Sequence, residues 1–140
     1  MSDRFFLDTN IFVYSFDPAA PTKARRAQQL IAEALETGKG VTSYQVIQEF
    51  FNAAFRRFAA PMKLVDAERY VASVFRPLLG VQSSATLFSQ ALLIHSSGKF
   101  SWYDALIVSA AMQAGCDVLF SEDMHHGQKL GELRIVNPFL

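Results

Sequence analysis

The sequence predicts a three-layer α/β/α domain on a central parallel sheet of about five strands, with residues 1–140 as a single unit. Short and almost uniformly apolar runs, at residues 4–7 and 117–120, suit strands covered on both faces. Between such runs lie segments with apolar residues every three or four positions, the spacing of amphipathic helices. Strands separated by whole helices need right-handed crossovers, and those join parallel neighbours.

The first strand is read over residues 4–7. A long helix follows Pro21 with Thr22 as its N-cap, turns Ala24, Ala27, Leu30, Ile31, Ala34 and Leu35 inward, and stops at Gly38. A short strand at 40–42 leads into a helix from Thr42 or Ser43 to about Phe58. There Ile47, Phe50, Phe51, Ala54, Phe55 and Phe58 share one face, and Thr42 with Gln45 suits a capping box. A third helix starts at Asp66, carries Ala67, Tyr70, Val71, Val74 and Phe75 inward, and ends at Pro77 before a strand at 78–81. Ser83 or Ser84 opens the next helix, which buries Leu87, Ala91, Leu92 and Ile94 and closes near Gly98. Ser101 caps the last one, packed through Leu106, Ile107, Ala110, Ala111 and Ala114 and ended by Gly115. Strands at 117–120 and 134–136 complete the sheet.

Composition narrows the function. The 140 residues are 51% hydrophobic, enough for a substantial core. Thirteen basic and 13 acidic residues cancel, so no whole-molecule field draws in polyanions or membranes, and a nucleic acid would have to be held by local charge. Cys116 is the only cysteine, which excludes an intrachain disulfide and suits a buried thiol in a reducing compartment. No targeting pattern or membrane-length apolar stretch is present, so the expected location is cytoplasmic. No repeat or low-complexity linker divides the chain. Thirteen Phe is a surplus that points weakly to a partner-facing surface.

Acids mark the strand ends. In open α/β sheets ligands bind beyond the carboxyl ends of the strands, and Asp8 stands at such an end in "LDTN". Ser121, Glu122 and Asp123 follow another strand in "LFSED", and Asp104 lies in the first turn of the helix in "SWYDALI". Each has a plainer reading. Asp8, Thr9 and Asn10 suit a helix cap, Asp104 suits a capping box with Ser101, and Glu122 and Asp123 suit a turn. Glu49 points away from the Phe50 face with Gln45, Asn52 and Arg56, where a solvated face is the default.

Taken in order, the Asp of "LDTN", the Glu of "TSYQVIQEF", the Asp of "SWYDALIVSAA" and the Asp of "LFSED" resemble the PIN-domain ribonucleases, especially VapC-type toxins of bacterial toxin–antitoxin pairs. The resemblance runs from Phe5 to about Pro138. It implies a metal-dependent endoribonuclease in which Asp8, Glu49, Asp104 and Asp123 hold Mg²⁺ or Mn²⁺, with Asn10 and Ser121 in support. The last motif departs from the family pattern, with Ser121 in place of the usual Thr and an added acid at Glu122, so that Glu122 competes with Asp123 for the fourth position. The implied partners are an RNA substrate, a small antitoxin and a second copy in a homodimer, with no membrane. An oxygen-only donor set suits those cations, and converging carboxylates repel one another unless a dication lies between them.

Candidate phosphate contacts are Lys23, Arg25 and Arg26 in one helical turn, then Arg56, Arg57 and Lys63, although exposed cations are ordinarily just solvated. Trp102 or Tyr103 is a candidate for base stacking, set against packing beside the core face of their helix. His125 and His126 read as a surface loop rather than a zinc site, and His95 as ordinary packing. Two other functions stand beside the nuclease: a PIN-fold module that binds RNA or protein without cutting, and a phosphotransfer domain with Asp8 as acceptor. The second usually wants another acid where Asn10 stands.

Overall fold

The computed structural model describes residues 2–140. Six strands form one sheet in the order β3-β2-β1-β4-β6-β5: β1 (Phe5–Leu7), β2 (Gly40–Ser43), β3 (Leu79–Val81), β4 (Val118–Phe120), β5 (Lys129–Leu130) and β6 (Leu133–Val136). Every pairing is parallel except that of β5 with β6. The expected five strands are present. The sixth, β5, is too short to show a period of two, and it joins β6 through a tight turn in which Gly131 takes φ 57°.

The helices are α1 (Thr9–Tyr14), α2 (Pro21–Thr37), α3 (Tyr44–Arg56), α4 (Leu64–Tyr70), α5 (Arg76–Leu78), α6 (Ala85–Ser96) and α7 (Trp102–Gln113). All three positions of β1 are buried, as a central strand with helices on both faces requires. α2 lies against β2 with α1 beside it, while α7 lies against β2 and β4 and is backed by α6.

Several ends differ from expectation for local reasons. Pro21 occupies the first turn of α2, where its missing N–H costs nothing, so the N-cap is Ala20 and not Thr22. The Thr42 hydroxyl donates to the Leu7 carbonyl at 3.0 Å, tying β2 to β1, and the expected Thr42–Gln45 box does not form. α4 begins at Leu64 and continues through a π-helical turn, Val71–Phe75, which shifts the inward face: Val74 and Phe75 are buried and Val71 is not. Pro77 lies inside α5 rather than ending the helix before it. Ser84 caps α6 by accepting from the Leu87 N–H, and Ser101 caps α7 by accepting from the Asp104 N–H, both at the expected places. α3 stops at Arg56, short of Phe58, and Phe55 and Leu92, expected inside, are 48% and 57% exposed.

Much of the phenylalanine surplus goes into the core. Phe12, Phe50 and Phe75 are fully buried, with Phe12–Phe75 at 5.0 Å and Phe50–Phe75 at 5.3 Å between ring centroids, and Tyr70 stacks on Phe50 at 5.1 Å. This cluster fixes α1 and α3 against the turn after α4 and so sets the helix that Asp8 caps and the helix that carries Glu49.

The closest packing is at Gly40, where α2 crosses β2. A Cβ there would stand 2.1 Å from the Ala34 Cβ and 2.7 Å from its Cα, and backbone cannot yield as a flexible side-chain tip does. Gly40→Ala is therefore expected to cost about 3 kcal/mol, read as a lower urea midpoint with an unchanged slope.

Candidate functional site

The strand order reverses between β1 and β4: the chain leaves β1 toward β2 and β3 on one side, then returns to place β4 on the other. Loops leaving two such strands diverge, and a crevice opens at their carboxyl ends. The expected acids lie around it. Asp8 ends β1, Asp123 follows β4, Glu49 comes from α3 and Asp104 from the first turn of α7. All four line one cleft of about 340 Å³, together with Thr9, Asn10, Gln45, Asn52, Arg57 and Tyr103.

Asp8 is both a cap and a cleft acid. One carboxylate oxygen accepts from the Thr9 N–H at 2.7 Å, which makes Asp8 the N-cap of α1, and the other accepts from the Ser121 hydroxyl at 2.9 Å. Its backbone N–H donates to the Phe120 carbonyl at 3.1 Å, so the end of β1 is clamped to the end of β4. Asn10 donates from its amide to Asp123 at 2.8 Å, and the Thr9 hydroxyl donates to Glu49 at 2.7 Å. Residues 8, 9 and 10 thus reach three different partners across the cleft, and Glu49 is half-buried rather than on a solvated face. The Gln45 amide lies between Glu49, at 3.5 Å, and the Tyr103 carbonyl, at 3.3 Å, holding α3 to the start of α7.

Electrostatics link the group. Burial pushes the Asp8 carboxyl up to about 7, against the hydrogen bonds from Thr9 and Ser121, and repulsion from Glu49 and Asp104 adds to the rise. Asp104 is also raised, by burial first, opposed by the Ser101 hydroxyl and reinforced by Asp123 and Glu49.

Glu122 does not share the cleft. Its carboxylate accepts from the Tyr14 hydroxyl at 2.6 Å and pairs with Lys23 at 2.6 Å. Burial opposes its ionisation, yet the bonds from Lys23 and Tyr14 outweigh it and hold its pKa below the ordinary value. Adjacent residues in this loop face opposite ways: Asp123 toward the acids, Glu122 toward α2.

The expected cations are dispersed. Lys23 is taken up by Glu122, and Arg26 donates to the Pro138 carbonyl at 3.3 Å. Arg25 lines a separate hollow beside Ser15 and Pro18, and Arg56 and Lys63 are exposed outside the cleft. Arg57 alone among them lines it. Trp102 packs on the core, edge-on to His95, whereas Tyr103 is 65% exposed at the cleft and not packed as expected. His126 accepts from the Asn137 N–H in an exposed loop, as read, whereas His95 is exposed rather than packed and bonds the Phe100 carbonyl. Thr9, Gln45 and Asn52 also line the cleft, and the one sequence signal for them is that Gln45 and Asn52 share the outer face of Glu49 at i−4 and i+3.

Residues 5–129 match the sequence model of the PIN domain. The chain belongs to the PIN domain family. No curated protein sequence matches it significantly. Among solved structures it is similar to a chain of a toxin–antitoxin complex from Klebsiella pneumoniae, with 18% identity, a TM-score of 0.67, and coverage of 95% of this chain and 96% of that one. FitAcB from Neisseria gonorrhoeae gives 19% identity and a TM-score of 0.69 over 96% and 98% of the two chains. Mycobacterium tuberculosis VapC20, described as a Sarcin-Ricin loop cleaving toxin, gives 22% and 0.55 over 85% and 91%.

An acid raised by folding costs stability once the unfolded chain ionises. Both states are protonated below about pH 4; above it the unfolded Asp8 loses its proton first, so the native state loses ground until about pH 7 and then levels off. Asn at this position still offers an oxygen to the Thr9 N–H. Asp8→Asn is therefore expected to stabilise the metal-free protein by up to about 4 kcal/mol near pH 8 and by little near pH 4, measured as urea midpoints at both values.

Proposed function

We propose that this protein is a Mg²⁺- or Mn²⁺-dependent endoribonuclease of the VapC toxin type, acting in the cytoplasm and restrained by a small antitoxin. The observation that carries the reading is that four carboxylates from four separate elements line a single cleft at the sheet's switch point. Toxin–antitoxin proteins and an RNA-cleaving toxin among similar folds support it.

The donor set fits such a cation. Every candidate ligand offers oxygen, the preference of Mg²⁺ and Mn²⁺, and the raised Asp8 and Asp104 are the groups that gain most from a neighbouring positive charge. Among the described residues no group of three or more His, Cys, Asp or Glu side chains is already drawn together closely enough to hold a metal ion, so the acids would have to close on a cation. Mg²⁺ keeps several waters in its shell and is commonly bound through only one or two carboxylates with phosphate oxygens. When bound, the cation would supply an activated water and offset charge on the scissile phosphate. Asp8, Glu49, Asp104 and Asp123 would hold it. Asn10 fixes Asp123, Ser121 fixes Asp8 and Thr9 fixes Glu49, so each of these carboxylates has a set orientation.

No helix among the described residues is long and apolar enough to cross a membrane. Phe88, Leu92 and Leu93 stand exposed on α6 at 40%, 57% and 75%, a surface suited to another protein, whether antitoxin or a second copy in a homodimer. A PIN-fold module that binds without cutting leaves the cost of burying Asp8 beside two other acids unexplained.

Purified protein is expected to cut structured RNA with Mg²⁺ or Mn²⁺ and not in chelator. Asp8→Asn, Asp104→Asn and Asp123→Asn should each lower the rate by about a hundredfold or more, while Glu122→Gln should change it by less than about tenfold. Cleavage that survives chelation, or that depends on Glu122 rather than Asp123, would overturn the assignment.

A further inference from the structure

Tyr103 and Arg57 share the cleft without structural employment of their own. Tyr103 sits in the first turn of α7 with its side chain 65% exposed, and its ring joins none of the aromatic pairs among the described residues. Its backbone is nonetheless fixed, since its carbonyl accepts from Gln45 at 3.3 Å. An aromatic ring on an anchored backbone, open to solvent at the lip of a polar cleft, is costly as packing and useful as a platform. Arg57, just past the end of α3, is the one basic side chain lining that cleft, and the two ion pairs among the described residues, Lys23–Glu122 and Lys39–Asp3, leave it uncommitted. It stands alone against four carboxylates, so it lends little to overall attraction. Its fork is suited instead to gripping one phosphate at one place.

We infer that Tyr103 and Arg57 form a nucleotide subsite beside the acids, in which one base of the RNA stacks on Tyr103 and a neighbouring phosphate is held by Arg57; this rests on the RNA-cleaving reading above. A base inside a duplex has both faces covered by its neighbours, so a tyrosine outside the stack reaches it only when the nucleotide is single-stranded or swung out. The cleft volume, about 340 Å³, is at the small end of ligand-sized sites. Asn52, exposed on the α3 side of the same cleft, offers a donor and an acceptor to a base edge.

The test separates binding from cutting. In an Asp8→Asn/Asp104→Asn background, which lowers the repulsion and leaves RNA intact, binding of a fluorescent single-stranded RNA and of its duplex is measured by anisotropy over a range of salt. The single strand is expected to bind more tightly than the duplex. Tyr103→Ala should weaken it roughly tenfold and Tyr103→Phe should restore most of the loss. Arg57→Gln should weaken binding and lower the salt slope by about one. Both positions are exposed, and unchanged melting temperatures confirm that the variants are folded. Equal binding by Tyr103→Ala and the parent, or a preference for duplex, overturns the inference; so does an effect of Tyr103→Ala on a captured antitoxin alone. If the unaltered protein fails to cut RNA while these losses are seen, the subsite stands and the nuclease reading falls.

Discussion

Asp8 is held out of water at the end of a central strand, with one oxygen committed to the helix that follows and the other to the strand beside it. A buried carboxylate is costly, and this one has two other acids near enough to raise its pKa further. The rest of the cleft is arranged around keeping it there. Ser121 is fully buried and spends its hydroxyl on Asp8, Thr9 gives its N–H to Asp8 and its hydroxyl to Glu49, and Asn10 reaches across to Asp123. Thr9 and Asn10, at the turn from β1 into α1, thereby set the direction of two acids drawn from other places in the chain, Glu49 and Asp123, beside Asp8 in the turn itself.

The opposite wall of the same loop is held as firmly. Glu122 is gripped by Tyr14 from α1 and Lys23 from α2, and the Lys23 ammonium also lies 4.7 Å from the centre of the Tyr14 ring. With Glu122 fixed on one side and Asp123 fixed on the other, the segment after β4 has little freedom to rotate its side chains. The second acid of this motif, Glu122, therefore has a structural explanation. It serves as a strut for the loop and adds no charge to the cleft.

The sequence made the sheet legible because buried parallel strands are uniformly apolar and the helices between them keep a clean period, with Gly38, Ser84, Ser101 and Gly115 punctuating them. What stayed hidden had physical reasons. A two-residue strand such as β5 has no period to read, and the π-helical turn at Val71–Phe75 moves Val71 outward although its spacing from Ala67 says inward. The acids were legible as a set only through their order. Glu49 on a helical wheel looks solvated, because a wheel shows which residues share a face and not what lies opposite it. Here the face is met by Thr9 and the start of α7. Conversely, the three clustered cations Lys23, Arg25 and Arg26 looked like one patch and are not: neighbours in a helical turn point to different surroundings, one to Glu122, one to solvent and one to the chain's end.

Charge balance imposes the final constraint on how such a cleft works. Around it stand four carboxylates and one arginine, so on its own it repels the phosphates of the substrate the fold suggests. A dication among the acids would offset two of those negative charges at the same place where chemistry is needed, leaving the surrounding protein free to remain neutral overall. Affinity for polyanions would then depend on metal occupancy rather than on a broad basic surface. The same logic describes restraint by a partner: any cationic side chain laid into the cleft would satisfy the acids and exclude the dication together. With 13 charges of each sign overall and four of its 13 acids lining one cleft, the protein's charge imbalance lies at that cleft, and occupancy there would set its affinity for polyanions.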